Sequence, residues 1–208
     1  MTKFDTRIKQ YVNQHWLELV LNQHFNRLAL DDSEKPSDTL FHPSQAGNCP
    51  RALWYSLSGF KSAPTSAITQ RNFAIGKALH NLFESLLQEA GLFCKTEPLY
   101  KLDKEYLRGS SDIIVIRPST DTAYLIEIKS HRDSLKDSIE LDYNDDSTVG
   151  SWDDLKEAHT NHIIQWQLYA FLSDINVGVI FYINKNDSRF KFFDMKRDDK
   201  IINTVLDK

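Results

Sequence analysis

The spacing of apolar residues along the chain sets out its elements in order. Between residues 4 and 30, Phe4, Ile8, Tyr11, Val12, Trp16, Leu19, Val20 and Phe25 recur mostly every three or four positions. That is the period of an amphipathic helix. The polar stretch 31–41, with Pro36, should lie beyond the end of that helix. A short helix carrying Leu53, Trp54 and Leu57 is expected next, capped by Asn48 or Ser44 and stopped at Gly59. Residues 69–90 read as a second strong helix with Phe73, Leu79, Leu82, Phe83, Leu86 and Leu87 as its apolar stripe, ending at Gly91. Gly76 and Ala78 within it are small enough for close approach to another backbone.

The period then changes from helix to strand. Residues 92–101 form a strand in which Pro98 marks an edge position or a bulge. Residues 108–130 contain two β-branched apolar runs around a polar turn at Pro118, Ser119, Thr120 and Asp121, the pattern of a hairpin. The polar, acidic segment 131–150 has little to pack and predicts a mobile loop beside the hairpin. Its Asp142, Asp145 and Asp146 lack the spacing of a calcium-binding EF-hand loop. A third strong helix spans 151–173, opened by Ser151 with Asp154 three residues on. Two strands, 177–183 and 189–195, close the pattern around the turn-rich loop 184–188. Helix, helix, strand, hairpin, helix and two strands together predict an α/β fold: a mixed central sheet flanked by helices, with an N-terminal helical extension.

The hairpin register carries the chemistry. In a symmetric hairpin, position i faces position 239 minus i, so Asp112 lies opposite Glu127, and Lys129 shares the face of Glu127. Facing Cβ atoms in such a pair are about 4.5–5.5 Å apart, and facing like charges are destabilising. Two carboxylates that close call for a cation, and a hard divalent ion such as Mg²⁺ is suited to them. Ile113 to Ile116 and Leu125, Ile126 and Ile128 are too apolar for an exposed edge, so these charges should sit at the end of a buried sheet.

Composition narrows the classes. The chain has 208 residues, of which 41% are hydrophobic and 26% charged, and this fits one soluble domain. No apolar run approaches the roughly 20 residues that span a bilayer, and the start is too polar for a secretory signal. Cys49 and Cys94 make no disulfide framework, which points to a cytoplasmic location. Cys49 reads as a small buried hydrophobe. A net charge of −4 gives no global attraction to nucleic acid. The cluster Lys185, Arg189, Lys191, Lys196, Arg197 and Lys200 is the candidate basic patch. His15 and His24 read as surface or packing residues, and His159 and His162 as surface ones, within reach of a phosphate as the alternative.

Asp112 followed by Glu127-Ile128-Lys129, with Gly109 three residues before the aspartate, resembles the catalytic core of the PD-(D/E)xK nuclease superfamily in its RecB-type exonuclease branch. Ser111 replaces the proline that usually precedes the aspartate. The segment Ser44 to Tyr55, with Cys49-Pro50-Arg51 and Trp54-Tyr55, is similar to an N-terminal motif of that branch, including CRISPR-associated exonucleases. Gly76 to His80 matches a Gly-x3-His motif, and Gln165 to Tyr169 a Gln-x3-Tyr motif. The resemblance spans about residues 44–195 and divides the chain into an N-terminal helix and linker, 1–41, and a nuclease domain, 42–208.

The resemblance implies a Mg²⁺- or Mn²⁺-dependent deoxyribonuclease of the exonuclease type, acting in recombination, repair or phage DNA processing. His80, Asp112, Glu127 and the carbonyl of Ile128 would hold the metal, with Asp112, Glu127 and Lys129 catalytic. Gln165 and Tyr169 would lie near the site on DNA backbone, or form a buried hydrogen-bonded pair. Arg51 would contact a DNA phosphate or anchor its helix through a salt bridge. Glu84, one turn beyond His80, would orient it or be solvated, and Glu97 is placed outside the acidic cluster. No cysteine follows Cys94, so no iron–sulfur cluster is expected. The alternatives are a structure-specific or restriction-type endonuclease and a catalytically idle DNA-binding or assembly module. DNA is the expected partner, and the N-terminal helix could dock a protein or a second copy.

Overall fold

A computed structural model describes residues 16–34, 40–61, 63–92, 94–102, 107–133 and 149–207. Phe4, Ile8, Tyr11, Val12, His15, residues 35–39 of the connector and most of the 131–150 loop lie outside the described residues, as does the triplet Asp142, Asp145 and Asp146. Helix α1 (Trp16–Glu34) runs through residues 31–34, past the predicted end. After a 3-10 turn at Pro43–Gln45 come α2 (Pro50–Leu57) and α3 (Ala67–Glu89), then β1 (Cys94–Thr96), β2 (Leu99–Leu102), β3 (Leu107–Ser110), β4 (Ile113–Arg117) and β5 (Thr122–Asp133). A short β6 (Val149–Gly150), a 3-10 turn (Trp152–Asp154), α4 (Thr160–Ser173), β7 (Val177–Asn184), β8 (Phe190–Lys196) and α5 (Asp199–Leu206) follow.

The main sheet has the order β1-β4-β5-β7-β8, with β6 pairing β5, and it is mixed: β5 and β7 are parallel and the other neighbours on that path antiparallel. The hairpin adopts the predicted register, Ile113 facing Ile126 and Arg117 facing Thr122. Side chains leave the sheet alternately to its two faces. Leu125, Ile180 and Tyr182 join Trp166, Tyr169 and Ala170 of α4 in one core layer. Ile113, Val115, Ile128, Phe181 and Ile183 form the other, packed by Phe83 and Leu87 of α3. The protein is thus an α/β fold with a mixed sheet between helices and an N-terminal helix. No helix among the described residues is long and apolar enough to cross a membrane.

Several expectations shift for physical reasons. Residues 92–101 break into β1 and β2 at Glu97-Pro98, where Glu97 takes a left-handed φ of 43°. Strand β2 then pairs with β3 in a separate ribbon. Ser151 opens only the 3-10 turn, without a side-chain cap, and α4 starts at Thr160. Helix α2 is preceded by Cys49 rather than capped by Asn48 or Ser44, and this leaves Cys49 exposed instead of buried. Backbone N–H groups of Ala52 and Arg51 bonding to its sulfur pull the Cys49 thiol pKa down. On α3, Phe83 and Leu87 face the sheet one turn apart, whereas Phe73, Leu82 and Leu86 are exposed. A Cβ on Gly76 would meet nothing within 4 Å, and Ala78 is exposed, so neither mediates a close approach. Helix α5, opened by Asp198 accepting from the N–H groups of Lys200 and Ile201, was not foreseen by the periodicity.

Candidate active site

Strand β5 is longer than its antiparallel partner. Pairing with β4 stops at Ile126, while pairing with β7 continues through His131. This opens the sheet alongside residues 127–131 on the β4 side, and Asp112 sits at the bend just before β4. Its Oδ2 accepts from the backbone N–H of Ile128 at 2.7 Å, so a carboxylate occupies the place of the missing strand. A strand residue directs its N–H and C=O to the same side, so the carbonyl of Ile128 faces the opening too.

Glu127 and Lys129 point toward α4. The 2% exposed Glu127 accepts through Oε1 from Gln165 Nε2 at 2.7 Å and lies 3.2 Å from Lys129 Nζ. Lys129 Nζ also donates to Gln165 Oε1 at 2.8 Å. One amide therefore fixes both charged groups. Burial, reinforced by the negative charge of Asp112, pushes the Glu127 carboxyl up to about 7, against the opposing charge of Lys129. The buried Oε2 of Glu127 has no hydrogen-bond partner among the described residues. An orphaned carboxylate oxygen costs on the order of 1–3 kcal/mol or more, because desolvation is uncompensated.

From α3, His80 Nδ1 lies 3.4 Å from Asp112 Oδ1. Burial opposes charging of this imidazole, but the hydrogen bond to Asp112 and the charges of Asp112 and Glu127 outweigh it and raise its pKa. Burial, then the charges of Glu97 and Asp112, raises the carboxyl pKa of Glu84. Tyr169 is buried, with its hydroxyl pKa raised by burial and the Glu127 charge, while the amide of Gln165 bonds to Lys129 and Glu127 instead of pairing with it. A Cβ on Gly109 would come within 2.8 Å of Pro43 Cδ and 3.1 Å of Tyr169 Cε1, so glycine there lets β3 pass between them. Arg51 is exposed on α2 with its guanidinium 5.8 Å from the Tyr55 ring centroid.

A cavity of about 360 Å³ opens on this constellation, lined by His80, Ile128, Lys129 and Glu97, among others. Glu97 belongs beside the acidic groups after all: its N–H donates to the carbonyl of Asp112 at 2.8 Å. Pro98 signals the strand break, but periodicity does not say on which side Glu97 falls. Phe73, Lys77 and Lys185 line the same cavity and were invisible to motif reading. Two of the six residues of the predicted basic patch are ion-paired within the fold, Arg189 with Asp187 and Asp153 and Arg197 with Asp174 and Asp199, and Lys191 is tied to the carbonyls of Trp152 and Leu155. His162 is buried rather than on the surface, 2.6 Å from the Tyr182 hydroxyl through Nδ1. Burial also lowers the pKa of His159.

The donors fit a hard divalent cation: carboxylates of Asp112 and Glu127, a peptide carbonyl and one imidazole. No group of three or more His, Cys, Asp or Glu side chains among the described residues is already arranged as a metal centre, since His80 and Asp112 face each other. The orphaned Oε2 of Glu127 is the group that a cation would satisfy.

No family model and no curated protein matches the chain. Solved structures do. The crystal structure of SSO0001 aligns over 95% of this chain and 86% of its own, at 18% identity and a TM-score of 0.58. The alkaline exonuclease LHK-Exo from Laribacter hongkongensis aligns over 81% of this chain and 83% of its own, at 14% identity and a TM-score of 0.52. Its structure in complex with dAMP aligns at 17% identity with the same TM-score, over 80% and 82% of the two chains. The chain shares the fold of these proteins.

Proposed function

We propose that the protein is a nuclease that hydrolyses phosphodiester bonds in DNA with Mg²⁺ or Mn²⁺, and that it works from strand ends. The orphaned, buried carboxylate oxygen of Glu127, beside Asp112 and Lys129 at an opening in the sheet, carries this reading. The fold shared with an alkaline exonuclease supports it.

In this reading His80, Asp112, Glu127 and the carbonyl of Ile128 hold the metal. The cation, when bound, stabilises the negative charge that develops on the scissile phosphate. Asp112 keeps the Ile128 peptide in place through its 2.7 Å hydrogen bond, so one side chain both binds and orients. Lys129 orients the attacking water toward phosphorus or helps to deprotonate it. Gln165 acts through Lys129 and Glu127 rather than on DNA, because it is buried and both ends of its amide are engaged. Tyr169 fills the core beside Gly109 and acts on packing rather than on DNA, because it is buried. Arg51 contributes a phosphate contact from the surface of α2.

Titrating Mn²⁺ into wild type and Asp112→Asn tests the site, and incubation with end-labelled linear and closed circular DNA tests whether a strand end is required. Metal affinity should fall at least tenfold in the variant, and linear DNA alone should be degraded. Unchanged affinity would remove Asp112 from the site. Nicked circles would make the activity endonucleolytic.

A further inference from the structure

We propose that Phe73 is a stacking platform for an unpaired base, so that the site takes single-stranded DNA or a frayed strand end. This rests on the nuclease reading above and specifies its substrate. Phe73 is 48% exposed although it lines the cavity that contains His80 and Lys129. It is the one phenylalanine, tyrosine or tryptophan among that lining, which is otherwise mostly polar or charged, with Asn72, Lys77, Lys185 and Glu97.

An exposed aromatic face costs hydration in the free protein. Here nothing in the apolar core compensates, because the sheet-facing residues of α3 are Phe83 and Leu87. Phe73, Lys77 and His80 are spaced at i, i+4 and i+7 and fall along one face of α3. The helical rise puts Phe73 about 10 Å from His80 along the axis, on the order of three stacked-base steps. The base that it meets therefore belongs to nucleotides flanking the reacting phosphate. Lys77 lies between them, and Lys185 borders the cavity from the end of β7, where its N–H donates to the carbonyl of His131 at 2.8 Å. Aromatic stacking combined with cations along a backbone is how single strands are held without sequence preference. Bases inside a duplex stack on their neighbours and have no open face for Phe73.

The test is binding of a fluorescein-labelled oligothymidylate and of an abasic strand of equal length, with Ca²⁺ as the cation. Wild type, Phe73→Ala, Phe73→Trp and Lys77→Ala are compared. Wild type should bind the thymidylate strand about tenfold more tightly than the abasic one, Phe73→Ala should erase that ratio, and Phe73→Trp should keep it. Lys77→Ala should weaken both strands alike. A ratio in Phe73→Ala equal to that of wild type overturns the platform while leaving the nuclease reading intact. If wild type binds neither strand and cleaves no thymidine 5′-p-nitrophenyl phosphate with Mn²⁺, both readings fall together.

Discussion

Gln165 holds Glu127 by a 2.7 Å hydrogen bond from Nε2 to Oε1, and the oxygen of the same amide accepts from Lys129 Nζ. The amide keeps an ammonium and a carboxylate at a fixed separation inside the protein. Gln165→Leu preserves volume but removes both bonds. It should lower kcat about 10- to 100-fold with little change in KM for DNA, and lower stability by about 1–3 kcal/mol. A raised KM at unchanged kcat would instead make Gln165 a DNA contact.

Glu127 ties stability to pH. Its folded carboxyl stands near 7, above its ordinary value of 4.5. Between those values the unfolded chain has lost the proton and the folded chain still binds it. Stability of the metal-free protein should therefore fall as pH rises through this window. Urea titrations at pH 5 and 8, in chelator, should show Glu127→Gln gaining on wild type at the higher pH. Equal differences at both pH values would contradict the assignment.

The backbone that presents Glu127 depends on Gly178. A Cβ there would run into the carbonyl of Leu125 and lie 2.7 Å from Cζ2 of Trp166. Gly178 pairs with Leu125 in the β5–β7 ladder, so the carbonyl cannot withdraw without parting the strands, and the fully buried Trp166 has no room to move aside. Gly178→Ala should cost about 3 kcal/mol in chemical denaturation. A loss under 0.5 kcal/mol would show that the ladder relaxes freely.

The hairpin was legible because both of its runs are apolar and its turn is polar, so register followed from symmetry; the ladder nevertheless ends at Ile113 and Ile126, and Asp112 turns its carboxylate onto the Ile128 N–H instead of facing Glu127. The helices α3 and α4 were legible from period. What the period could not supply was depth. Phe73 and Phe83 look alike in a helical stripe, yet one is exposed and the other packs on Phe181. The positive cluster near the C-terminus looked like a patch because two of the carboxylates that pair with it, Asp153 and Asp174, are distant in sequence. Glu97 joined the acidic groups through a left-handed turn that no alternation pattern encodes.

The most direct measurement is degradation of 5′-labelled single-stranded DNA with Mn²⁺, comparing wild type, Lys129→Ala and Glu127→Gln. Wild type should degrade the strand, EDTA should stop it, and each variant should lose at least 100-fold in rate while still folding. Degradation by both variants at the wild-type rate, or in EDTA, would contradict a metal-dependent nuclease built on Asp112, Glu127 and Lys129.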